Sequence, residues 1–211
     1  SFKDAAFTKQ MDEAEIARAM RHVGLGIDQG GIGIGLLLDY LDDAVSDGEL
    51  EALFTTAADR RAPLFIHIRR GIAGDPSGLI EVIELAKRTG ASIHICHLSA
   101  SAMGGIDNFL ELVDEALVAG VDISAESYPY NAGSTSIGAD VFNRDWQSIF
   151  GITYSDVQLA ETGEFFTKAR WDEVRAEDPG ATIIHHYGRE DWTQRAMVSS
   201  AMMIGSDAMP I

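Results

Sequence analysis

The sequence predicts an α/β fold built on parallel strands, part of a (β/α)8 barrel, on three observations. Apolar strand-like runs alternate with helix-like segments along most of the chain, as in repeated αβ units. Glycine or proline stands at the junctions, at Gly30-Gly31, Pro63, Gly90 and Gly120. Residues able to hold a metal or move a proton close several different strands, which is where a barrel collects its site. An open doubly wound sheet is the other arrangement with this alternation.

Residues 12–29 read as a helix, with Asp12, Glu13 and Glu15 at its N-terminal end and Ile16, Met20, Val23 and Ile27 at helical spacing. Gly30-Gly31 ends it, and 32–38 reads as a strand whose small residues permit close backbone approach. Ser46 with Glu49 carries a capping-box signature opening a helix through Arg60, after which Pro63 leads into a strand closed by His67. The cycle repeats as helix 77–89 stopped by Gly90, strand 92–97, helix 106–119 stopped by Gly120, and strand 121–125. Aromatic, Gly and Ser content then breaks the rhythm, with helices expected near 155–160 and 168–176. That segment, 128–180, is read as an insertion or long loop region in a catalytic barrel portion spanning 1–211. Strand 181–186, helix 189–200 and strand 202–206 restore the pattern. About six strands against the eight of a barrel place its first strands outside this sequence. The start at Ser1 and the end at Met209-Pro210-Ile211 carry the same expectation, that the natural protein continues beyond this chain.

With 211 residues, 46% of them hydrophobic, the chain can bury one sizeable core. Its 16 Lys and Arg against 33 Asp and Glu leave a net charge of -17, which repels phosphate backbones and anionic lipid and argues against nucleic-acid or membrane partners. No apolar run approaches the roughly 20 residues of a membrane span, and the first residues lack a signal-peptide pattern. Cys96 is the only cysteine, so no intrachain disulfide forms, as expected of a cytoplasmic protein.

His67 closes the run 63–67 and His97 the run 92–97, one βα unit of about thirty residues apart, so both imidazoles reach the same end of neighbouring parallel strands. The run 202–206 then delivers Asp207. Two imidazoles and a carboxylate are donors for a divalent metal, which lowers the pKa of a bound water toward neutrality. Each histidine reads equally as a hydrogen-bonded structural residue. His94 is expected to pack beneath a helix, one of His185 and His186 to face inward, and His22 to lie on the surface. The segment from Tyr128 to Thr135 suits the wall of a polar pocket, or an ordinary loop whose aromatics cover the core. The glycines at 24–35 make no dinucleotide turn, because a helix precedes them and a strand contains them.

Taken in order, the motifs Gly31-Ile32-Gly33-Ile34-Gly35, Ile66-His67-Ile68-Arg69, Ile95-Cys96-His97, Glu126 through Thr135, and Ile204 through Pro210 resemble the N-acyl-D-amino-acid deacylase (D-aminoacylase) family of the amidohydrolase superfamily. The resemblance runs from about Gly24 to Pro210. It implies a metal-dependent barrel of the amidohydrolase type holding zinc, one or two divalent ions. It implies His67 and His97 as ligands and Asp207 at the metal, carrying a proton from the attacking water to the leaving amine. Tyr128, with Arg69 and Ser99, would bind substrate. The chain departs from the family pattern in having no His-x-His pair on a first strand and no counterpart of the bridging cysteine, since Cys96 directly precedes His97. Ser99 stands where the family has lysine, Arg70 where an acidic residue often follows the His-x-Arg, and Ala208 where glycine is usual. The expected activity is hydrolysis of the amide of small N-acyl amino acids, N-acyl-D-amino acids above all. The alternatives are a cyclic amide hydrolase of the same superfamily, or a non-catalytic fragment or homologue that only binds a small ligand. Exposed barrel edges would favour homo-oligomers.

Overall fold

The structure, a computed structural model, describes residues 9–41 and 44–208, so Met209 and Pro210 of the last motif lie outside the described residues. In order the elements are α1 (Glu13–Asp28), β1 (Ile34–Leu37), α2 (Leu38–Leu41), α3 (Asp47–Arg60), β2 (Leu64–His67), α4 (Ser77–Thr89), β3 (Ile93–Ile95), α5 (Leu98–Ala102), α6 (Ile106–Val118) and β4 (Ile123–Ser127). There follow β5 (Gly133–Ser136), α7 (Trp146–Phe150), β6 (Val157–Leu159), α8 (Lys168–Glu177), β7 (Thr182–His185), α9 (Glu190–Val198) and β8 (Met202–Ile204).

Local chemistry sets the helix ends. The Asp12 carboxylate accepts the Glu15 N–H at 2.8 Å while Glu15 accepts the Asp12 N–H at 3.0 Å, which fixes the start of α1. Ser46 Oγ accepts the Glu49 N–H at 3.2 Å and starts α3. Gly90 ends α4 in the left-handed region, at φ 74°. No helix among the described residues is long and apolar enough to cross a membrane.

The main sheet runs β1-β2-β3-β4-β8 with every pairing parallel, an arc of five of the eight strands that close a (β/α)8 barrel. Leu64, Ile66, Ile93, Ile95, Ile123 and Ala125 point to one face and are buried in one core with Phe54 of α3, Leu79 and Val82 of α4, and Phe109 and Val113 of α6. By the two-residue period of a strand, the other face carries Phe65, His67, His94, Cys96, Ser124 and Glu126. His94 therefore does not pack beneath a helix. It shares the inner face with Cys96, its Nδ1 2.8 Å from Ser124 Oγ and its Nε2 3.5 Å from Glu126 Oε2.

The segment after β4 builds a second, antiparallel sheet in the order β5-β7-β6. Strand 181–186, expected to continue the parallel series, is instead its central strand, because Ile183 is buried in a separate aromatic core with Phe142, Trp146, Phe150 and Trp171. The main sheet passes directly from β4 to β8. The helix expected near 155–160 is a single 3-10 turn, Tyr154–Asp156, followed by β6. Thr153 and Asp156 cap each other and start the turn, after which Val157 and Leu159 turn inward as β6 pairs with β7.

Candidate metal centre

His67 is the last residue of β2, opposite Leu37 of β1, and His97 follows β3 by two residues. His97 sits in the left-handed region at φ 36°, a conformation that costs a residue bearing a β-carbon about 1 kcal/mol or more. The two rings meet edge to face with centroids 4.5 Å apart. His67 Nε2 and His97 Nδ1 are both buried without a hydrogen-bond partner. Burial pushes both imidazoles down, His97 to about 3, so each is neutral near pH 7 with a lone pair to give. Orphaned, neutral, adjacent imidazole nitrogens fit a zinc-type ion. They supply two of the four ligands such an ion takes. Among the described residues no group of three or more His, Cys, Asp and Glu side chains converges to hold a metal.

Behind the pair lies a charged cluster that sequence reasoning missed. Asp39, only 4% exposed, places Oδ2 3.5 Å from His67 Nε2, a charge contact too long to count as a hydrogen bond. Its Oδ1 accepts the Arg70 backbone N–H at 3.0 Å and Arg144 Nη2 at 2.8 Å. Burial alone would raise the Asp39 carboxyl, but His67, Arg70 and Arg144 outweigh it and hold the group well below the usual carboxylate range. An acidic residue inside the apolar run from Leu36 to Leu41 was the available sign.

The structure brings some of the expected residues to this place and not others. Tyr128 is buried with its ring centroid 6.4 Å from that of His97, and its hydroxyl shares a 2.8 Å hydrogen bond with the hydroxyl of Tyr187. Burial pushes the Tyr128 phenol far up, so it is a neutral hydroxyl. Ser99 Oγ lies 2.5 Å from Ser127 Oγ at the end of β4. Asp207 is exposed and in the left-handed region at φ 47°, beyond a turn fixed by the Gly205 N–H donating to Ser127 O at 3.0 Å. Its charge is near enough to act on His67 and Tyr128. Arg69 points elsewhere: its Nε donates to Glu81 of α4 at 3.1 Å and its Nη2 to Val45 O at 3.4 Å. Arg70 is the arginine whose charge acts on His67, His97 and Tyr128. Burial, with Glu126 and Asp207 adding to it, pushes the Cys96 thiol up to about 11. His185 faces inward and is buried, while His186 is exposed.

No protein-family model matches the chain. Over 209 residues, 93% of the chain, it is 30% identical to an N-acyl-D-glutamate deacylase of Alcaligenes xylosoxydans xylosoxydans. The chain is thus similar in sequence to part of that deacylase. It spans 42% of that relative's length. Among solved structures it is similar to an N-acyl-D-glutamate deacylase from Bordetella bronchiseptica, crystallised with zinc and a phosphonate inhibitor that mimics the tetrahedral intermediate of its reaction. That likeness has 24% identity and a TM-score of 0.78 over 94% of this chain and 44% of the other. It is also similar to a D-aminoacylase described as defining a subset of amidohydrolases, with 19% identity and a TM-score of 0.74 over 94% of this chain and 44% of the other. These likenesses show the fold: the chain adopts the α/β architecture of part of those two structures.

Proposed function

We propose that this chain forms part of a zinc-dependent amidohydrolase that cleaves the amide bond of N-acyl-D-amino acids. The observation that carries the reading is the pair of unpartnered, neutral imidazoles of His67 and His97 at the C-terminal ends of neighbouring strands. When bound, one or two divalent ions would polarise the scissile carbonyl and acidify a water toward neutrality. His67 and His97 would hold such an ion, with Asp207 beside it. Asp207 takes a proton from the attacking water on a carboxylate oxygen and delivers it to the leaving nitrogen. Tyr128 donates its hydroxyl to the substrate carboxylate, and Ser99 lines the same wall. Residues 1–211 make up a portion of the catalytic barrel, with 128–180 as an insertion that brings Tyr128 and Arg144 against it. The protein acts in the cytoplasm on a small amide, as a homo-oligomer.

The test is a substrate profile of the zinc-loaded protein. N-acetyl-D-glutamate and other N-acetyl-D-amino acids should be hydrolysed, the activity lost with chelator and regained with zinc. Preference for hydantoins or dihydropyrimidines would replace this reading by a cyclic amide hydrolase. Small-ligand binding without turnover is the second reading, favoured by the lack of a third converging ligand among the described residues. Saturable binding of N-acetyl-D-glutamate with no hydrolysis would establish it.

A further inference from the structure

Behind the histidine pair Arg70 and Arg144 share one buried carboxylate, Asp39. Asp39 accepts hydrogen bonds from Arg144 Nη2 and from the Arg70 backbone N–H, not from the Arg70 guanidinium. That guanidinium is 92% buried by the 8% exposure of its side chain. It lies 3.9 Å from Asp39 Oδ2 and 5.3 Å above the Phe150 ring, and its Nε has no hydrogen-bond partner. The Nε of Arg144 and the Nδ1 of His185 are likewise buried and unpartnered. A buried cation without hydrogen bonds is costly unless an anion completes it, and a guanidinium fork matches a carboxylate.

We infer that Arg70 anchors an oxyanion subsite beside His67 and His97, which takes a carboxylate of the bound molecule. Asp39 and Phe150 position the guanidinium, and Arg144 adds a second positive charge next to it. The inference rests on the proposed function and deepens it by adding Arg70 to Tyr128 at the substrate's carboxylate. It also gives the arginine at a position where the resembling family often carries an acid a stated role in selecting anionic substrates.

The test uses the metal-free protein, so that binding is read apart from turnover. Acetate is titrated against chloride at matched ionic strength, with the thermal midpoint as readout. Acetate should raise the midpoint saturably in the wild type. Arg70→Gln should weaken half-saturation about tenfold or more, the loss of a charge-assisted hydrogen bond. Arg69→Gln should leave half-saturation unchanged. Arg70→Lys, which keeps the charge without the fork, should fall between the wild type and Arg70→Gln and serves if the glutamine variant does not fold. No acetate-specific rise in the wild type, or equal half-saturation in wild type and the Arg70 variants, overturns the inference. A positive result in a protein that hydrolyses no N-acyl amino acid would keep the subsite and remove the hydrolase.

Discussion

At Asp207 the backbone is left-handed and the side chain is exposed, a combination that separates function from stability. Glycine there relieves the conformational cost and leaves no cavity, so Asp207→Gly should match wild-type stability or exceed it by up to about 1 kcal/mol in urea unfolding, with hydrolysis lost. A clear destabilisation would show that Asp207 is a structural residue. His185 gives the pH dependence. Burial holds its folded pKa at about 3 against an ordinary 6.5, with the charge of Arg70 adding to it. The unfolded chain therefore binds the proton first as pH falls. Stability is full above about 6.5 and declines toward 3, by at most about 1.4 kcal/mol per pH unit for this group. His185→Gln should show a shallower decline across that window in urea midpoints measured at several pH values, and an unchanged slope would refute it. At this scale His67 and His97 were legible because each closes an apolar run of strand length one βα unit from the other. Asp39 and Arg70 were not, because their meaning lies in contacts spanning 31 and 105 residues, which no local spacing encodes.

Among the elements, the helices with capping chemistry were read nearly to their ends: α1 from Asp12, α3 from Ser46 and α4 up to Gly90. Gly90→Ala should cost about 1 kcal/mol, since φ 74° strains any β-carbon, and chemical denaturation of the variant measures it. Phe54 of α3 is fully buried against the sheet, and Phe54→Ala should cost about 3–5 kcal/mol in the same assay. The strand elements were harder to place. The apolar run 182–185 has the composition of a barrel strand, and only its antiparallel pairing with β5 and β6 assigns it to the second sheet. Likewise 157–159 is too short for its period to distinguish strand from helix.

Over the whole molecule, the parallel sheet of the described residues ends in edges at β1 and β8, and its strands expose Leu37, Phe65, Met203 and Ile204. Open strand edges beside exposed apolar side chains promote association, so light scattering should find a mass that rises with concentration. A single monomeric mass at all concentrations would count against that. The barrel class was legible from αβ repetition, while the share of the barrel present and the aromatic second sheet required the three-dimensional pairing. The central claim is that His67 and His97 jointly hold a divalent metal. Zinc titration of the chelator-stripped protein by calorimetry, beside His67→Ala and His97→Ala, tests it most directly. The account predicts saturable binding in the wild type, weakened at least about tenfold by either substitution, and zinc binding unchanged in both variants would contradict it.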